Sequence, residues 1–127
     1  FDTSSVKDMS HMFFGCNALE ELDLSGFDTS SVKDMRSMFS ECTALVELDL
    51  SGFDTSSVTS MSRMFYYCSN LTTIYASDKW STAKVTSSSN MFSTCTSLPN
   101  FNSSVIDKTN AHYGAGGYLT YKAAPAV

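Results

Sequence analysis

Apolar residues recur along this chain with two spacings nested inside a longer period. Val32, Met35, Met38, Phe39 and Cys42 advance by three or four residues, and at ~100° per residue they fall within an arc of about 120°. That spacing predicts a short amphipathic helix, opened by a capping box of Ser31 and Asp34 or by Thr29 or Ser30 as the N-cap. The pattern then changes to alternation in Leu45-Val46-Glu47-Leu48-Asp49-Leu50. Leu48 and Leu50 are expected to face inward on a strand, and Glu47 and Asp49 outward.

The whole unit returns every 26 residues: Phe1-Asp2-Thr3-Ser4-Ser5-Val6 recurs from Phe27 and again from Phe53, with Cys16, Cys42 and Cys68 in step. A fourth, degenerate copy opens at Trp80, one residue late, and carries Val85, Met91, Phe92, Cys95, Leu98 and Phe101 at the matching offsets. The extra residue falls near Ser77-Asp78-Lys79, where a loop insertion leaves the core intact. The repeats are 1–26, 27–52, 53–79 and 80–102, followed by a C-terminal cap and tail over 103–127. A unit this short cannot bury an apolar face alone, so it stacks on its neighbours and presents function on a shared surface.

The L-x-x-L-x-L strand within a period of 20 to 29 residues is the leucine-rich repeat signature. The wider pattern F-D-T-S-S-V-x-x-M-x-x-M-F-x-x-C-x-x-L-x-x-L-D-L-S resembles the BspA-type leucine-rich repeat of bacterial surface proteins, over about residues 1 to 102. The expected fold class is therefore α/β: a right-handed leucine-rich-repeat solenoid with short helices on one side and a C-terminal cap. Its parallel strands are expected near Glu21–Leu24, Glu47–Leu50, Thr73–Ala76 and Asn100–Asn102. Phe27 and Phe53 stand where the general pattern has Asn or Cys, so an aromatic spine is expected to replace the usual amide ladder. The resemblance also implies an extracellular or cell-surface setting and adhesion to host or cell-surface proteins or glycans.

Composition fits one ordered array, since 43% of the 127 residues are hydrophobic and the Ser and Thr residues hold fixed repeat positions. The chain opens inside a repeat motif, as an excised piece of a longer protein would. No apolar run approaches the ~20 residues of a membrane span, so direct insertion by this segment is not expected. In the tail, Gly114, Gly116 and Gly117 precede Tyr118-Leu119-Thr120-Tyr121, a strand-like alternation suited to closing the last repeat.

The residues that could carry chemistry read mainly as structure. All four cysteines occupy one inward position and are expected to be buried free thiols, with disulfides and then zinc as lesser alternatives because Cys-x2-Cys spacing is absent. The seven methionines share the inward face. His11 and His112 have no repeated acid or nucleophile beside them. Neither a nucleophile elbow nor a phosphate-binding glycine loop occurs, so no catalytic residue, metal site or cofactor is expected.

Charge adds a surface. Residues 1–54 carry eleven acidic and three basic side chains, while 55–127 carry two and five. No basic stripe with interleaved aromatics exists, so nucleic acid is a poor partner for such a surface and is not expected. On stacked strands Glu21, Asp23, Glu47, Asp49, Thr73 and Tyr75 would form one continuous outward face. Two readings stand: a solvated face that keeps the module soluble, or a concave ligand-binding face for a cationic partner or a bound cation. The sequence thus points to a non-enzymatic adhesion or binding module, with a structural spacer or stalk in a larger surface protein as the alternative.

Overall fold

The computed structural model describes residues 3–125; Phe1 and Asp2 of the first repeat and the last two residues of the tail lie outside them. Successive repeats stack in parallel, with isolated backbone bridges running Asp8 to Asp34, Asp34 to Ser60 and Ser60 to Ser87. The expected helices are absent. The helical content of the described residues is one 3-10 turn, Lys108–Asn110, in the tail, so the fold is not a helix-bearing α/β leucine-rich-repeat solenoid.

The reason lies in the backbone of each apolar arc. Met38, Ser40 and Cys42 donate N–H bonds back to Met35, Ser37 and Phe39, forming overlapping four-residue turns. The alternate amides, Met35, Ser37, Phe39 and Glu41, donate to Ser60, Ser62, Met64 and Tyr66 of the next repeat at 2.7 to 3.0 Å. On this row two residues per repeat adopt left-handed φ: His11 and Gly15, Ser37 and Glu41, Arg63 and Tyr67, Asn90 and Thr94, all between 55° and 72°. Each sits third in its turn, where a type II turn requires positive φ. Left-handed residues cost about 1–2 kcal/mol apiece, but an isolated helix of this length is itself marginal in water. A helix about 10 Å wide would also separate the repeats, whereas extended turns advance by the same ~4.8 Å as a strand ladder. The turns therefore keep both sides of the stack hydrogen-bonded. They also return a side chain inward every three or four residues, and Val32, Met35, Met38, Phe39 and Cys42 are all fully buried.

Three ladders run through the interior. Phe13, Phe39, Phe65 and Phe92 stack at centroid distances of 5.3 to 5.8 Å with interplanar angles of 6° to 12°. This spine lies on the turn row, not at the expected Phe27 and Phe53; Phe53 is buried separately and Phe27 only partly. Beside it, the thiols of Cys42, Cys68 and Cys95 donate to the carbonyls of Phe13, Phe39 and Phe65 at 3.2, 3.0 and 2.8 Å. The third ladder is polar. Thr3, Thr29 and Thr55 are buried, and each hydroxyl both donates to and accepts from one backbone unit of the next repeat, at Asp28, Asp54 and Ser81.

On the opposite side three short strands form a parallel sheet in chain order: β1 Glu47–Asp49, β2 Thr73–Ala76 and β3 Thr120–Tyr121. Glu47 pairs with Thr73 and Asp49 with Tyr75, while Tyr75 pairs in turn with Thr120. Neither Glu21–Leu24 nor Asn100–Asn102 is a strand. Pairing the first segment with β1 would set Glu21 against Glu47 and Asp23 against Asp49 across about 4.8 Å, a destabilising arrangement of like charges. In the fourth repeat Pro99 lacks the N–H that its counterpart Thr72 donates to Val46, and Asn100 turns to a φ of 62°.

The tail takes the place that the fourth strand leaves open. Phe92 N–H bonds to Ile106 at 2.9 Å, as Phe65 N–H does to Met91 at 3.0 Å. Tyr118 meets the end of the phenylalanine stack edge-on, 5.1 Å from Phe92, and its hydroxyl bonds Asn102 and Val105. The chain returns to the sheet at Gly117, where a Cβ would lie 1.9 Å from the His112 carbonyl oxygen.

Candidate functional site

The sheet face carries an open groove of about 660 Å³ between the unpaired 20–23 segment and β1. Alternation on β1 turns Leu48 inward and leaves Glu47 and Asp49 exposed. Glu20, Glu21, Leu22 and Asp23 form one wall, Val46, Glu47 and Asp49 the other, and Tyr75 and Lys122 close the end. Five of the six face residues expected from sequence therefore meet at one groove. Thr73 does not line it; its hydroxyl lies 3.3 Å from that of Thr72.

The carboxylates are not equivalent. Asp23 and Asp49 each accept the backbone N–H two residues on, from Ser25 at 3.0 Å and Ser51 at 2.9 Å, and so shape the turn that follows the strand position. The Ser25 hydroxyl and N–H hold the Asp23 carboxyl below the usual carboxylate range. Partial burial pushes Asp49 up, but bonds from Lys122 and Ser51 outweigh it and leave Asp49 lowered as well. Glu20, Glu21 and Glu47 make no side-chain hydrogen bond among the described residues. They are the carboxylates available to a partner.

Lys122, Glu20 and Val46 were not among the residues expected from sequence. The Lys122 ammonium lies 2.7 Å from Asp49 Oδ2 and 5.2 Å from the Tyr75 ring centroid, carried there when Lys122 N–H bonds to Ala76 and extends the line of β3. Bonding to Asp49 raises the Lys122 pKa and keeps it charged. The groove thus sets five carboxylates against one ammonium. A signal for Lys122 was present, since it follows a strand-like run that could only join a sheet edge.

The remaining candidate chemistry is dispersed. Among the described residues no group of three or more His, Cys, Asp or Glu could hold a metal ion. His11 lies on the turn row beside Phe14, and His112 accepts the Gly114 N–H in the tail; neither lines the groove. All four cysteines are free, with Cys16 half-buried and the others buried. Burial pushes the Cys42 thiol up to about 11 and the Cys95 thiol up to about 12, and raises Cys68 further. No helix among the described residues is long and apolar enough to cross a membrane.

Comparison with known proteins gives one assignment. The family described as "Mycoplasma protein of unknown function, DUF285" matches residues 1–108, and the chain belongs to that family. No curated protein and no solved structure matches it.

Proposed function

We propose that this family member is a non-enzymatic, secreted or cell-surface repeat module that binds a protein or glycan partner across its acidic strand face. The observation that carries this reading is the groove itself, where side chains from three repeats and the tail converge on one concavity. Its free carboxylates, Glu20, Glu21 and Glu47, suit basic or hydrogen-bond-donating groups, and Tyr75 adds an aromatic wall of the kind that stacks on a cation or a sugar ring. The resemblance to BspA-type repeats supports the surface setting, and the rest of the repeat pattern is committed to stacking. Screening the purified chain against immobilised cell-surface proteins and glycans tests the proposal. Binding that Glu21→Gln with Glu47→Gln weakens supports it, whereas an inert surface across the panel favours a spacer.

A further inference from the structure

The first and second repeats are zipped together on one side of the stack and apart on the other. On the turn side Asp8 bridges Asp34, and Met9, His11 and Phe13 donate N–H bonds to Asp34, Arg36 and Met38 at 2.9 Å. On the sheet side the backbone of residues 20–23 makes no backbone hydrogen bond among the described residues, and the groove of about 660 Å³ separates it from β1.

The strand β1 therefore keeps an unused edge between two repeats that are both present. In a parallel ladder alternate residues turn both backbone groups toward the same neighbour. Val46 accepts the Thr72 N–H at 2.8 Å and Leu50 donates to Tyr75 at 2.9 Å, so these residues face β2 and the N–H and C=O groups of Glu47 and Asp49 face the groove. None of those groups makes a backbone hydrogen bond among the described residues. Such an edge is a template for another extended chain.

The side chains around the edge select its occupant. Glu47 and Asp49 stand on β1, with Glu20, Glu21 and Asp23 across the groove. A second copy of β1 would bring like charges into register, whereas a strand with Lys or Arg at every second position sets cations against carboxylates. Lys122 already shows how an ammonium is held here, 2.7 Å from Asp49 Oδ2 and 5.2 Å from the Tyr75 ring centroid.

We propose that the open edge of β1 takes up an extended peptide with Lys or Arg at alternate positions, its backbone pairing with Glu47 and Asp49 and its cations meeting Glu20, Glu21 and Glu47. This rests on the groove being the partner-binding face and narrows the partner to a basic protein segment bound by strand addition.

The test uses the full chain and the peptide Lys-Thr-Lys-Thr-Lys-Thr-Lys, with amide hydrogen exchange followed residue by residue. In the free chain the Glu47 and Asp49 amides are expected to exchange faster than the Leu50 amide, and saturating peptide to slow both by about tenfold or more. Only one frame of peptide amides can face β1. N-methylation of every second residue is therefore expected to weaken binding by about tenfold or more in one frame and little in the other. Binding that slows neither amide, or that responds alike to methylation in both frames, would overturn strand addition; if Glu21→Gln with Glu47→Gln still weakens it, the acidic face stands and only the mode of pairing fails. A peptide that does not bind would overturn the inference alone, since the protein and glycan panel tests the broader reading. Glu47 and Asp49 amides as slow as Leu50 in the free chain would also overturn it, with residues 20–23 as the occupant if the rates are independent of protein concentration and a second copy if they are not.

Discussion

Thr29 joins two repeats through a single hydroxyl: Oγ1 donates to the Asp54 carbonyl at 3.1 Å and accepts the Asp54 N–H at 2.9 Å. Thr3 and Thr55 do the same at the neighbouring interfaces. The invariant third position of the F-D-T-S-S-V motif is therefore a polar staple within an otherwise apolar interface. Thr29→Val preserves shape and removes both bonds, leaving a backbone donor and acceptor unpaired at a site where residue 29 is 1% exposed. The expected loss is about 1–3 kcal/mol, read by urea denaturation, and Thr29→Ser should retain most of the stability. Equal midpoints for the Val and Ser variants would remove the staple.

Thr94 holds a φ of 64°, a conformation that a β-branched residue rarely adopts, at the position where the first repeat has Gly15. Relief of about 1–2 kcal/mol of left-handed strain outweighs the roughly 0.5–1 kcal/mol entropic cost of glycine. Thr94→Gly is expected to raise the melting temperature slightly, and Gly15→Val to lower it. The reverse order would mean that the segment is not built from these turns.

The thiol ladder predicts a response to alkali. Burial raises Cys42 from an ordinary 9.0 to about 11 and Cys95 to about 12, so the neutral thiol is favoured in the fold. Its contribution to stability is complete below pH 9.0 and is lost as pH rises through those higher values. Melting temperature should fall across that window, and Cys42→Ala with Cys95→Ala should flatten the fall. Native labelling at neutral pH should reach Cys16 before the other three.

Acid acts with the opposite sign. Hydrogen bonds from Ser25 lower Asp23, and bonds from Lys122 and Ser51 lower Asp49 despite its partial burial, relative to an ordinary 3.8. Their contribution is present above 3.8 and is lost as pH falls through the lowered values. Thermal melts taken below that pH should show declining stability, and the decline should be shallower in Lys122→Ala, which removes one cause of the Asp49 shift. An unchanged slope would mean that the ion pair does not form in solution.

The 26-residue period and the inward residues are legible in the sequence, because burial depends only on phase, and Val32, Met38, Phe39 and Cys42 keep their phase in all copies. The secondary structure of the arc is not. Steps of three and four residues bring side chains to one side of a helix and also to one side of a run of β-turns. Only Gly15 and Asn90, residues tolerant of left-handed φ, hinted at the second. Pro99 similarly marked the missing fourth strand. The groove was half legible: alternation places Glu47 and Asp49 outward, but Lys122 reaches Asp49 across 73 residues of chain, and no local pattern encodes that return.

If the acidic groove is the partner-binding surface, Glu21 and Glu47 report on it best because, unlike Asp23 and Asp49, they shape no turn. Surface plasmon resonance of the wild type and of the Glu21→Gln, Glu47→Gln variant should be run over the panel of cell-surface proteins and glycans at several salt concentrations. The prediction is a captured ligand whose affinity falls by about 2- to 30-fold in the variant, as expected for two exposed charge contacts of 0.2–1 kcal/mol each, with a shallower dependence on salt. A ligand bound with the same affinity and the same salt response by both proteins would contradict the claim.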